Sequence, residues 1–207
     1  LENQFEDFCK NGNLNAAKEL LKENPNIDIS ANNEYAFRWT CLNGHLEVVK
    51  WLYTIKPSID ISVDSECPFR HACENGQLEV AKWLLLIKPS INISADDEYA
   101  FRYACYNNHL AVAQWLYTIK PSINISANNE YAFRCACENG NLEVAQWLLS
   151  IKPIINISAN NEYAFRCACE NGHLEVAKWL YTIKPDINIS AKDEYAFRWT
   201  CYNNHLA

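Results

Sequence analysis

ANNEYAFRWTCLNGHLEVVKWLYTIKPSIDIS, residues 31–62, contains the whole design of this chain. Shifted by 32 residues it returns almost unchanged. Phe37, Phe69, Phe101, Phe133, Phe165 and Phe197 are in one phase and an arginine follows each, while Trp51, Trp83, Trp115, Trp147 and Trp179 hold another. All five glycines (12, 44, 76, 140 and 172) share a third. A fixed period of this length is the mark of a repeat protein, in which each unit buries its apolar face against its neighbours. About six and a half units fill the 207 residues as one continuous domain: 1–30, 31–62, 63–94, 95–126, 127–158, 159–190 and a partial unit at 191–207.

Within the unit, Asn33 and its equivalents (Ser65, Asp97, Asn129, Asn161, Asp193) are good N-cap residues and predict the start of a first helix. Glu34 falls in the first turn, and Arg38 four residues on predicts an ion pair. The helix is expected to run to Leu42 and to end at Asn43-Gly44, with glycine, or Asn108 and Asn204 in its place, in the left-handed conformation. A second helix follows from His45, with Leu46, Val49, Leu52 and Ile55 as its apolar stripe. Pro57 stops it, and Ile59 and Ile61 predict a short extended finger. The fold class is therefore an all-α solenoid of helix-turn-helix repeats.

Asn-Gly-His-Leu-Glu-Val-Val-Lys at 43–50 resembles the centre of the ankyrin repeat, as does the stretch 171–178. Cys67-Pro68-Phe69-Arg70 is similar to the family's Thr-Pro-Leu-His, and Asp186-Ile187-Asn188 to the Asp-Val-Asn of its finger. The unit is one residue shorter than the family's usual length of about 33. Its Tyr-Ala-Phe-Arg and Trp-Leu-Tyr-Thr-Ile-Lys-Pro strings resemble the ankyrin arrays of giant DNA viruses that infect amoebae, which would place it in a host cytoplasm. The resemblance implies a non-enzymatic adaptor or scaffold that holds a protein partner in a groove lined by first helices and finger tips. The alternative is a structural array within a viral or cellular assembly.

Composition narrows the remaining classes. Hydrophobic residues at 49% supply a core, which excludes disorder. A net charge of −7 without a basic cluster argues against nucleic acid, and no run is long and apolar enough for a membrane span. Seven of ten cysteines (Cys9, Cys41, Cys73, Cys105, Cys137, Cys169, Cys201) repeat at 32. A disulfide needs Cα atoms within about 7 Å, closer than the roughly 8–10 Å between packed helices. They read as buried thiols of a reducing, intracellular compartment. The chain carries no methionine and opens at Leu1, so it is expected to be part of a longer product. In the first unit, Glu6 and Glu19 replace the arginine and tryptophan, giving the polar outer face of a cap. The chain breaks off inside a seventh second helix, so Phe197 and Cys201 are expected on an open apolar face that invites self-association.

Chemistry is sparse. No glycine is left for a phosphate loop, no helix carries two ligands at i,i+4 in the manner of His-Glu-x-x-His, no Cys-x-x-Cys occurs, and the serines recur in fingers with no evident base. No cofactor, metal, catalytic residue or small-molecule substrate is expected. Functional candidates are instead the positions where units differ. Positions 35, 39 and 42 share one face of the first helix and supply Trp39, Leu42, His71, Glu74, Tyr99, Tyr103, Tyr106, Glu138, Glu170, Trp199 and Tyr202. Tyr99, Tyr103 and Tyr106 form the first-choice hot spot, because interface energy concentrates in aromatic anchors. Glu138 and Glu170 suit a basic segment. The tryptophan ladder reads as core or half-core. Leu180 to Asn188 also fits the Leu-x5-Asp-φ-Asn pattern at which asparagine hydroxylases act on ankyrin repeats, which makes Asn188 a candidate for hydroxylation.

Overall fold

The computed structural model describes residues 1–205, and among them it has thirteen α-helices and no strand. The first helices of the repeats are α1 (Glu2–Lys10), α3 (Ala31–Leu42), α5 (Val63–Glu74), α7 (Ala95–Tyr106), α9 (Ala127–Glu138), α11 (Ala159–Glu170) and α13 (Ala191–Tyr202). Their partners are α2 (Leu14–Glu23), α4 (Leu46–Ile55), α6 (Leu78–Ile87), α8 (Leu110–Ile119), α10 (Leu142–Ile151) and α12 (Leu174–Ile183). Two compact units, Leu1–Ala100 and Phe101–Ala207, divide inside α7. In the first unit α1, α3 and α5 pack in sequence; in the second, α9, α11 and α13 do. The chain is thus an α-solenoid of helix-turn-helix repeats.

A first helix with neighbours on both sides buries one face: Ala36, Phe37, Thr40 and Cys41 in α3, and Ala132, Phe133, Ala136 and Cys137 in α9. On the second helix the buried stripe is Val48, Val49 and Leu52, or Val144, Ala145 and Leu148. Leu46 is half-buried and Ile55 exposed, so the expected stripe is shifted toward the residues that meet the adjacent helices.

The tryptophans occupy the seams between repeats. Trp51 lies 6.1 Å from Phe5 of the preceding repeat. In the second unit Trp147 stands 6.1 Å from both Phe101 and Tyr117, one repeat earlier. All five ladder tryptophans are half-buried. The turns between first and second helices are fixed by close approach as well as by dihedral angle. Gly140 has φ +74°, and a Cβ there would sit 2.6 Å from His173 Nδ1 of the next repeat. Asn108, with φ 64°, adopts the same left-handed state where glycine is missing.

Three local expectations are corrected. The fingers are two successive tight turns and not extended chain: Ile59 N–H bonds Lys56 C=O at 3.1 Å, and Val63 N–H bonds Asp60 C=O at 3.3 Å. The isoleucines still point inward. The residues read as N-caps make no side-chain cap. Instead Asn32, Asn33 and Glu34 all have φ between 53° and 60°, and the same left-handed turn recurs at 64–66, 96–98, 128–130, 160–162 and 192–194. Asn or Asp fills the first two positions, apart from Ser65 and Lys192, because its short polar side chain tolerates this region; the glutamate at every third position bears the cost of about 1–2 kcal/mol that other L-residues meet there.

The Glu34–Arg38 ion pair does not form either, because each side chain has a better task. Arg38 Nε and Nη2 donate to the carbonyls of Asn33 (2.8 Å) and Asn32 (3.1 Å), closing the left-handed turn. Arg70, Arg134 and Arg166 repeat this. Glu34 Oε1 accepts from the Ser30 hydroxyl (2.8 Å) and from Asp60 N–H of the next finger (3.2 Å). The finger serines therefore do have partners, since Ser62 and Ser126 also receive the ammonium groups of Lys88 and Lys152. Repetition marks these contacts as inter-repeat staples.

Candidate partner-binding face

The face of the first helix opposite the core carries positions 35, 39 and 42, and here the candidate residues divide by unit. In the first unit Trp39 is half-buried, 5.6 Å from Tyr35, with Lys10 Nζ 4.7 Å above its ring. Leu42 lies half-buried at the end of α3. His71 does not face an aromatic neighbour of its own helix: its Nδ1 is 3.3 Å from Cys67 Sγ one turn earlier. Burial lowers the His71 pKa below its usual value and raises that of Cys67, so the pair is neutral, a thiol against an imidazole. Glu74 accepts the hydroxyl of Tyr99 at 3.0 Å, and the Arg70 guanidinium lies 4.6 Å from the Tyr99 ring.

In the second unit Tyr103 lies 5.9 Å from Tyr106 and 5.7 Å from Tyr131, and all three are half-buried. Arg102 lies between the Tyr103 and Tyr131 rings, at 5.6 and 5.0 Å. The pattern continues as a ladder. Arg134 lies 4.8 Å from Tyr163, and Arg166, only 3% exposed, lies 4.8 Å from Tyr195. Stacking of a largely desolvated guanidinium on an aromatic face contributes about 1–2 kcal/mol per contact. Glu138 and Glu170 accept the hydroxyls of Tyr163 (3.0 Å) and Tyr195 (2.8 Å) of the following repeats. The Tyr195 hydroxyl is pushed up to about 12, by burial first and Glu170 second. These two glutamates, read in the sequence as an acidic strip, are thus also joints of the stack.

At position 39 of α9 and α11 the cysteines close the face. Cys135 and Cys167 are buried, their thiols pushed up to about 12 and about 11 chiefly by burial. In α13 the same face is open: Trp199 is 37% and Tyr202 79% exposed, with rings 5.2 Å apart. Asn188 is exposed on its finger, where its N–H donates to Glu162 Oε1 (3.4 Å) and its Oδ1 accepts from Ser190 N–H (3.1 Å).

The structure assembles Tyr103 and Tyr106 around Tyr131, a residue not singled out in the sequence. Tyr131, Tyr163 and Tyr195 are invariant in phase, and so were their arginines. That joint invariance was the available signal for the ladder, but it was absorbed by the supposed Glu–Arg pair. All ten cysteines are free, and among the described residues no group of three His, Cys, Asp or Glu side chains is placed to hold a metal ion. No helix among them is long and apolar enough to cross a membrane.

Stacked helical hairpins closed by an Asn-Gly turn, with a histidine or glutamine of the next repeat over Gly12, Gly44, Gly140 and Gly172, define a protein of the helical-repeat class. The chain belongs to the ankyrin-repeat family: the family model for ankyrin repeats in three copies matches residues 6–97 and again 101–193. No curated protein matches it. Ankyrin repeats are in general protein-interaction modules and typically non-enzymatic, which makes a protein the expected type of partner.

Proposed function

We propose that this chain is a non-enzymatic interaction module that takes a protein segment on the outward face of its first helices. The observation that carries this reading is the partial exposure of the aromatic set Tyr103, Tyr106 and Tyr131 beside a core face that is fully closed. Aromatic side chains held rigidly by neighbours make interface anchors at low entropic cost. Trp39 over Lys10 is a second anchor in the first unit, and Trp199 with Tyr202 a third in the second. Tyr99 contributes through its ring, since its hydroxyl is bound to Glu74.

A second reading, a structural array in an assembly, is favoured by the Arg–Tyr–Glu ladder, which spends the same side chains on holding repeats together. Affinity capture separates the two. The chain and its Tyr103→Ala/Tyr106→Ala variant, both shown folded by circular dichroism, are used as bait. A protein held by the parent must then bind it directly when purified, with a Kd weakened at least about tenfold in the variant, since interface anchors contribute roughly 2 kcal/mol or more. Equal binding by both overturns the assigned face, and no direct binder at all favours the assembly role.

A further inference from the structure

Five asparagines precede the five turn glycines: Asn11, Asn43, Asn75, Asn139 and Asn171. Asn-Gly is the dipeptide most open to intramolecular deamidation, because glycine has no Cβ to hinder its own nitrogen. In that reaction the glycine nitrogen attacks Asn Cγ and gives up its proton, and the Cγ–Nδ2 bond breaks to release ammonia. Water then opens the succinimide to aspartate or isoaspartate. The sequence makes all five sites equivalent; the fold does not.

The glycine nitrogens themselves do not discriminate, since each donates to a cysteine carbonyl three residues back at 3.1–3.2 Å. The asparagine amides do. Asn43 Nδ2 donates to Lys10 C=O of the preceding repeat at 2.8 Å, and Asn171 Nδ2 to Glu138 C=O at 2.8 Å. These acceptors are the last residues of α1 and α9, where helix carbonyls have no partner within the helix. Rotating either amide into the reactive position breaks a bond between repeats. Asn139 makes the same kind of bond, to Tyr106 C=O at 3.2 Å, but Asn141 also donates there at 2.9 Å.

Asn11 and Asn75 differ. Their amides turn back onto their own helices, to Asp7 C=O (2.8 Å) and His71 C=O (2.9 Å). Each of those carbonyls already accepts the backbone N–H of the same asparagine, at 3.0 and 3.1 Å. Releasing these side chains leaves no acceptor bare and no repeat untied. We propose that Asn11 and Asn75 are the sites of spontaneous deamidation in the folded protein, with Asn43 and Asn171 protected by their inter-repeat bonds and Asn139 between them.

Solvent exposure gives a different ranking, which makes the proposal testable. Asn171 is exposed but tied, whereas Asn75 is half-buried but untied. The whole chain is held in mildly alkaline buffer, natively and in concentrated urea, and sampled over days by peptide mass spectrometry. Each Asn-Gly pair falls in its own tryptic peptide, bounded by Lys10/Lys18, Arg38/Lys50, Arg70/Lys82, Arg134/Arg166 (Lys152 precedes a proline and is not cut) and Arg166/Lys178. In urea the five sites should convert at similar rates. In the native chain Asn75 and Asn11 should lead, with Asn43 and Asn171 slower by roughly tenfold, the factor expected when a carbonyl must first lose its donor. Asn171 overtaking Asn75, equal native rates at all five sites, or conversion in urea alone would each overturn the proposal.

Discussion

Helices α9 and α13 have nearly the same sequence, Asn-Asn-Glu-Tyr-Ala-Phe-Arg against Lys-Asp-Glu-Tyr-Ala-Phe-Arg, and very different surroundings. Both open on the same left-handed turn, with φ of 53°, 55° and 60° in one and 53°, 56° and 59° in the other. Phe133 is wholly buried, whereas Phe197 is 66% exposed; Arg134 is buried and Arg198 exposed. The turn therefore forms alike at both helices, even with Lys192 in place of asparagine, while the burial of the phenylalanine and arginine depends on the neighbour that covers them. Local and tertiary contributions are separated within one chain.

Truncating the phenylalanines tests that separation most strongly. Phe133→Ala should cost about 3–5 kcal/mol, the usual range for emptying a closed aromatic site. Phe197→Ala should cost less than about 1 kcal/mol, because most of its ring already faces water. Urea unfolding followed by circular dichroism reads both. Similar losses would mean that Phe197 is covered in solution, and the comparison would fail.

Next in size is the turn. Gly140→Ala places a Cβ at φ +74° and against the His173 ring, and should lose about 2–3 kcal/mol. Replacing Asn108, already in this conformation, by glycine should be neutral or slightly stabilising by thermal unfolding. The arginine ladder follows: Arg134→Met removes two turn-closing hydrogen bonds and a stacking contact and should cost about 1–3 kcal/mol, whereas Arg198→Met should cost little. Equal effects would place the role of arginine in its own turn alone.

How much of this was legible in the sequence follows the same division. The period, the turn between first and second helices and the alternation of core and outer faces were readable, because each rests on one residue type recurring at one phase. The left-handed turn was not. Asn33, Asp97 and Asn161 suit an N-cap and a positive φ for the same reason, a short side chain that can bond its own backbone, so composition alone could not choose. The Arg–Tyr ladder was missed because its partners are separated by a whole repeat: Arg134 reaches Tyr163, whereas local spacing suggested Glu130. The opposite error concerned the serines, where Ser62 and Ser126 gain lysine partners that only stacking supplies.

The smallest predicted effects are in pH, and they have opposite signs in the two regions where position 39 is not aromatic. Cys135 and Cys167 are held as thiols, with pKa values raised to about 12 and about 11 from an ordinary 9.0. A raised folded-state pKa means the contribution is fully present below the unfolded value. It is lost as pH climbs from about 9 toward 12, when the unfolded chain releases protons that the native chain retains. His71 has a lowered pKa, so its neutral form favours the fold, and this contribution is present above 6.5 and fades as pH falls below it. Urea midpoints measured across both ranges should therefore fall at each end. Cys135→Ala/Cys167→Ala should make the alkaline limb shallower without removing it, because Cys9, Cys73, Cys105, Cys137 and Cys169 are raised as well, and His71→Gln should do the same to the acid limb, to which His109 also contributes. If His71→Gln instead made the alkaline limb shallower, the neutral Cys67–His71 pair would have to be redrawn as an ion pair, and α5 would no longer share with α9 and α11 an uncharged side chain at position 39.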